Sequence, residues 1–163
     1  MNTLEKNEAF QLAVERYADM VYRVAVHAAP RREDAEDVVQ DTYEKLLRTD
    51  KRFESEAHLK AWLIRVAINR CHDLCRAACT KDLELDEGTP AAPSGEDGHV
   101  LAAVRALPER YRSAIYLHYY EGYTAAEIGG MLGVPGSTVL TWLARGRGRL
   151  HELLKEEIED EVV

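Results

Sequence analysis

Two helices separated by a forced stop form the pattern that most restricts how this chain can fold. The pattern lies in Gly122–Leu150, GYTAAEIGGMLGVPGSTVLTWLARGRGRL. Thr124 and Glu127 have the spacing of a capping box, which predicts a helix starting at Thr124. Ile128, Met131 and Leu132 give that helix an apolar side. Gly133 ends it, because glycine takes the left-handed conformation at a helix end with least cost. Val134-Pro135-Gly136 turns the chain, and Pro135 suits the first turn of a second helix. There, Val139, Leu143, Leu150 and Leu154 recur in a narrow apolar stripe, while Ser137, Thr141, Ala144, Arg145 and Gly148 point the other way. The sum is a helix-turn-helix whose second helix has a small, polar and basic outer face, shaped for a major groove.

Helix pairs of this kind also occur in proteins that touch no nucleic acid, so the charge pattern has to choose. Residues 135–151 hold Arg145, Arg147 and Arg149 and no acid, in a chain of formal net charge −8. Such bulk acidity argues against a general nucleic-acid coat, but it is unevenly spread. Residues 82–98, DLELDEGTPAAPSGEDG, hold six acids and no base, with Pro90, Pro93 and no sustained period. That composition predicts a flexible linker. Fully extended it would reach about 58 Å, beyond one turn of duplex at about 34 Å, so the two halves of the chain can engage separate sites on DNA.

In the first half, Glu8–Ala28 is predicted as one long helix with Phe10, Val14, Tyr17, Val21, Val24 and Ala28 inward. Pro30-Arg31-Arg32 breaks it. A second helix starts near Asp34, among acids that suit a helix N-terminus, and runs to about Arg48. Val39, Tyr43, Leu46 and Leu47 form its expected core side, and Asp37, Gln40, Asp41 and Glu44 its polar surface. Thr49–Ser55 is irregular and carries Lys51, Arg52 and Phe53. Glu56–Cys79 reads as a third long helix burying Leu59, Trp62, Leu63, Val66 and Leu74. Between Ala57 and Lys81 five bases face one acid. Bases beside Phe53 and Trp62 suit a single-stranded backbone with stacked bases, although Trp62 would serve equally as a core ring.

After the linker, His99–Leu107 is predicted helical with Val100, Val104 and Leu107 inward. Pro108 opens a further helix that ends at Gly122, with Ile115 and Tyr119 inward. The acidic tail beyond Leu154 is expected to fray. The fold class is therefore all-α: two small helical domains joined by a flexible acidic linker, the second containing the helix-turn-helix. Residues 1–81 make the first domain, 82–98 the linker, 99–155 the second domain and 156–163 the tail.

Several function classes are excluded. No apolar run approaches a membrane span, and MNTLEKNEAF lacks the apolar region of a signal peptide, so the cytoplasm is the expected location. Cys71, Cys75 and Cys79 share one side of a helix. A helix rises about 12 Å over eight residues, against zinc–sulfur bonds of about 2.3 Å, so one ion cannot bind all three. Small buried thiols in a reducing compartment are expected instead, with no metal or other cofactor. An enzyme built on His72-Asp73 lacks support, because neighbouring helical side chains diverge by about 100°. No catalytic residue and no small-molecule substrate are expected.

Taken together, these features resemble a bacterial RNA polymerase sigma factor of the small, two-domain extracytoplasmic function (ECF) type, over nearly the whole chain. DAEDVVQDTYEKLL, Asp34–Leu47, looks like the family's polymerase-binding segment. HLKAWLIRVAINRCHDLCR, His58–Arg76, looks like its promoter-melting and −10-reading helix, and Leu107–Leu150 like its −35-reading domain. The resemblance implies that Asp34, Asp37, Gln40, Asp41 and Glu44 dock on core RNA polymerase. It implies that Lys51, Arg52, Phe53, Arg65, Asn69, Asp73 and Arg76 hold flipped bases of the non-template strand, where recovering the cost of extrusion requires a pocket. It assigns Arg112, Thr124, Ser137, Thr138, Leu140, Thr141, Arg145, Arg147 and Arg149 to −35 DNA. Within that set hydroxyls suit base edges and Leu140 a thymine methyl, whereas arginines suit phosphates. The implied partners are core RNA polymerase, promoter DNA and a separate anti-sigma factor.

The chain departs from the family where Leu140 and Trp142 replace a customary lysine and arginine, where Gly146 and Gly148 interrupt the recognition helix, and at Cys79, where bases are common. These bear on the strength and preference of −35 binding. The rival is a stand-alone helix-turn-helix regulator, which leaves Asp34–Leu47 without a role and needs dimerisation to bind half-sites.

Overall fold

A computed structural model describes residues 4–80 and 96–162, with the side chains of 78–80, 96–99, 101 and 156–162 outside the description. The chain divides into two compact units, Met1–Leu85 and Asp86–Val163. The proposed linker and Cys79 lie almost wholly outside what is described. Among the described residues the only β-type pairing is a single bridge between Leu4 and Phe53.

The first unit contains α1 (Lys6–Glu15), α2 (Ala18–Ala28), a 3-10 turn (Arg32–Asp34), α3 (Ala35–Arg48) and α4 (Glu56–Thr80). The single helix expected over Glu8–Ala28 is broken at Arg16–Tyr17. Both backbone N–H groups there turn back onto the Leu12 carbonyl. The break is held from a distance: the Tyr17 hydroxyl donates to Glu56 at 2.7 Å, and Arg16 pairs with the same carboxylate at the head of α4. Consequently α1 buries small Ala9 and Ala13, and Val14 is exposed rather than inward. In α2 Met20, Val21, Val24, Ala25 and Ala28 are buried.

In α3 Leu46 is buried as expected, but the rest of the core stripe is Ala35, Val38 and Thr42, one residue round from Val39 and Tyr43. Val39 and Tyr43 are half-buried and Leu47 is 53% exposed. Thr42 enters the core because its hydroxyl donates to the Val38 carbonyl at 2.7 Å, which removes the cost of a buried unpaired polar group. Helix α4 is the central element, packed by α1, α2 and α3. Leu59 and Leu63 are buried as expected, together with Ile64, Ala67, Ile68, Cys71 and Cys75, whereas Trp62, Val66 and Leu74 are half-buried. Cys71 and Cys75 form no disulfide, and the Cys75 thiol donates to the Ala28 carbonyl at 3.9 Å.

The second unit contains α5 (Glu96–Arg105), α6 (Glu109–Tyr119), α7 (Ala125–Leu132) and α8 (Gly136–Val162). Helix α5 starts and ends earlier than expected; Val104 and Leu107 are buried, but Val100 is exposed. Every residue from Tyr111 to Leu117 is buried, because α6 is covered by its neighbours on several sides. Ile115 is inward as expected, while Tyr119 is 54% exposed. Helix α8 continues to Val162, so the tail expected to fray extends the helix.

Candidate nucleic-acid interface

The helix-turn-helix is built as the sequence dictates. Thr124 Oγ1 accepts from the Glu127 N–H at 3.2 Å, and Glu127 accepts from the Thr124 N–H at 3.1 Å, which completes the capping box. Gly133 closes α7 with φ of +72°, in the left-handed region. Gly129 has no room for a side chain: a Cβ there would sit 2.6 Å from the Val134 carbonyl oxygen. Pro135 stands just ahead of α8 rather than within it, and its carbonyl accepts from Thr138 and Val139. The turn before α7 is fastened too. Gly122 takes φ of +79°, the Tyr116 hydroxyl donates to Glu121 at 2.9 Å, and a His118 ring nitrogen lies 2.7 Å from the Tyr123 carbonyl. Burial, with Glu121 and Glu127 nearby, pushes the Tyr123 hydroxyl up to about 12, so it stays a neutral packing group at physiological pH.

Helix α8 buries Val139 and Leu143 and half-buries Leu150 and Leu154. Ser137, Leu140, Thr141, Ala144, Arg145 and Gly148 are all exposed, and Thr138 is half-buried. The Thr141 hydroxyl donates to the Ser137 carbonyl at 3.1 Å, which leaves its oxygen as an acceptor on the surface. At about 100° per residue, Arg147 and Arg149 stand on opposite sides of this strip. Both are steered by tyrosines of α6. Arg147 donates to the Tyr119 hydroxyl at 3.1 Å, and the Arg149 guanidinium lies 5.3 Å from the Tyr111 ring centre. These tyrosine partners come from another helix, so spacing along α8 gives no sign of them.

Two expected DNA contacts are corrected by packing. Arg112 is buried, and its Nη1 donates to the Arg105 carbonyl at 3.1 Å, tying α6 to the end of α5; it does not present its charge to a phosphate. Phe53 is 2% exposed and packs edge-on against Trp62 and His58, each 5.4 Å away between ring centres, so its faces are not open to a stacked base. Thr124 is exposed, but its hydroxyl is the helix cap.

The remaining first-unit candidates separate into two groups. On α3 Asp37, Gln40 and Glu44 are exposed and Asp34 is half-buried, whereas Asp41 is held at 2.6 Å by Arg70 of α4. Lys51, Arg52, Arg65 and Asn69 are exposed, and Asp73 and Arg76 pair with each other one turn apart on α4. The irregular segment is itself ordered: Thr49 Oγ1 accepts from the Lys51 N–H, and His58 Nδ1 from the Glu54 N–H at 3.1 Å. No group of three or more metal-ligating side chains occurs among the described residues.

A unit whose long helix is basic, followed along the chain by a helix-turn-helix unit with an exposed hydroxyl and arginine strip, has the character of a DNA-reading protein. Comparison with known proteins gives the family. The family model for Sigma-70 region 2 matches residues 13–79, and that for Sigma-70 region 4 matches residues 99–150. The chain is 32% identical over 151 residues to the ECF RNA polymerase sigma factor SigM of Mycobacterium tuberculosis, covering 90% of this chain and 77% of SigM. It is 30% identical over 154 residues to SigE of Mycolicibacterium smegmatis, covering 86% of this chain but only 60% of that relative. Its fold resembles the sigma factor RpoE from Bartonella quintana, solved with the anti-sigma factor NepR, with TM-score 0.72, 24% identity and coverage of 93% and 98%. The chain belongs to the ECF RNA polymerase sigma factors, the class of protein that directs promoter-specific transcription.

Proposed function

We propose that this chain binds core RNA polymerase through α3 and delivers it to promoters by reading two elements with two units. Asp37, Gln40 and Glu44, with Asp34 at the edge, form the polymerase-docking face. Lys51, Arg52, Arg65, Asn69, Asp73 and Arg76 engage the melted −10 strand, and α8 enters the major groove at −35 with Ser137, Thr138, Leu140 and Thr141 toward the bases. Arg145, Arg147 and Arg149 hold phosphates. The working division of the chain is residues 1–81, 82–98 and 99–155, with 156–163 as tail. The protein performs no catalysis of its own and acts in the cytoplasm; no described helix is long and apolar enough to cross a membrane.

One observation carries this reading over a stand-alone regulator. The exposed face of α3 carries Asp37, Gln40 and Glu44, and its carboxylates would repel DNA phosphates, so this face suits a protein partner and has no role in a regulator that only grips DNA. A partner anti-sigma protein that masks these faces is part of the proposal; RpoE, which shares the fold, was solved in complex with one. The test is transcription in vitro with core polymerase over a promoter library, beside retention of core polymerase by the Asp37→Lys, Glu44→Lys double variant. Asp41 is left intact because it pairs with Arg70. Core binding by the folded double variant at the wild-type level rejects the docking face.

A further inference from the structure

Helix α8 carries charge of opposite sign along a single face. At about 100° per residue, positions 145, 149, 152, 156 and 160 fall within about 80° of one another. They are Arg145, Arg149, Glu152, Glu156 and Asp160, and the helix runs past them to Val162. Every pair four residues apart on this face has like charge: Arg145 with Arg149, Glu152 with Glu156, and Glu156 with Asp160. Such pairs destabilise a helix that stands alone. The first part of the face is also open. Arg145, Arg149 and Glu152 are exposed, and with Leu107, Tyr111 and Leu153 they line a cleft of about 690 Å³. Gly148 lies among them, and a Cβ there would meet nothing within 4 Å, so another backbone can approach closely.

We propose that a second copy of this chain covers this face, the two α8 helices lying antiparallel about a two-fold axis near Glu152 and Leu153. A two-fold contact uses the same patch on both copies. The antiparallel register sets Arg145 opposite Asp160 and Arg149 opposite Glu156, each pair occurring twice, with Leu153 of each copy near the axis. Like charges along each helix then face opposite charges across the pair. An acidic surface on another protein would satisfy Arg145 and Arg149 but leave Glu156 and Asp160 without partners; a second copy satisfies both ends. The net charge of −8 opposes association at long range. At 0.1 M salt the Debye length is about 10 Å, so the facing charges decide. Pairing covers Arg145 and Arg149. On the reading given under Proposed function, the free protein thereby masks its own −35 surface.

The full-length chain, at about 5–200 μM, is followed by analytical ultracentrifugation in about 0.1 M salt and in about 1 M, where the Debye length falls to about 3 Å. Wild type should rise from 18.4 kDa toward twice that mass at the lower salt and stay at 18.4 kDa at the higher. The double variant Arg145→Glu, Arg149→Glu and the double variant Glu156→Arg, Asp160→Arg should each remain monomeric, with helical circular dichroism unchanged. An equimolar mixture of the two variants should restore the dimer, because every facing pair is again of opposite sign. Wild type that stays monomeric throughout, a dimer that survives both reversals, or a mixture that does not pair overturns the proposal. Added −35 duplex should dissociate the wild-type dimer. A dimer that binds the duplex intact would leave the pairing standing and reject the assignment of Arg145 and Arg149 to −35 phosphates.

Discussion

Gly146 of α8 lies so close to Ile115 of α6 that a Cβ on it would sit 2.9 Å from Ile115 Cγ1. The glycine that costs helix propensity therefore permits a close crossing of the recognition helix over the central helix of its unit. Gly148, two residues on, meets nothing within 4 Å and lies on the exposed side. The two glycines, alike in sequence, are opposite cases.

Gly148→Ala should stabilise the second unit by about 1 kcal/mol, the propensity difference between the residues in a helix interior. Gly146→Ala should instead destabilise it by about 1–3 kcal/mol, because Ile115 is buried and must shift. Denaturant unfolding followed by amide exchange in α6 and α8 reads both. Equal effects of the same sign would show that the crossing tolerates a methyl group.

Arg147 and Arg112 should behave differently despite their common charge. Arg147→Ala should weaken binding to all −35 sequences alike and flatten the salt dependence by roughly one unit of slope. Arg112→Ala should cost about 1–3 kcal/mol of stability by orphaning the Arg105 carbonyl, with the salt slope of the folded protein unchanged. Binding isotherms at several salt concentrations, with thermal melts alongside, separate the two.

Thr141→Ala should change which −35 sequence is preferred while leaving the salt slope nearly constant, because the proposed orientation of α8 turns this uncharged hydroxyl toward base edges. A −35 library bound by the wild type and the variant measures this. An unchanged preference would place the reading face elsewhere on α8.

The first unit should lose a clasp in acid. Hydrogen bonds from Tyr17, and then from Arg16, hold the Glu56 carboxyl below its usual range. A lowered folded value means stabilisation that is present above the ordinary value of 4.5 and lost as pH falls through the folded value. Wild type should therefore lose first-unit protection below pH 4.5 more steeply than Glu56→Gln, which lacks the titrating group. Amide exchange of α1 and α4 across that range gives the comparison.

The sequence by itself determined whatever is fixed by neighbours along the chain. Thr124 with Glu127, and Gly133, act within one or two turns, so α7 and its ends follow from local hydrogen bonding and backbone sterics. The exposed strip of α8 follows from period alone. Tertiary structure decided what depends on a partner far along the chain. The α1–α2 break is held by Glu56, some forty residues away, and a straight apolar period gave no sign of it. Phe53 and Arg112 are expected as DNA contacts from the family resemblance, but one fills the space beside Trp62 and the other caps α5. Asp41 looks like surface until Arg70 is brought to it, and Gly146 looks like a weakness until Ile115 is placed against it. Periodicity reports which side of a helix is apolar. Which helix lies against that side, and how closely, is settled only when the helices pack.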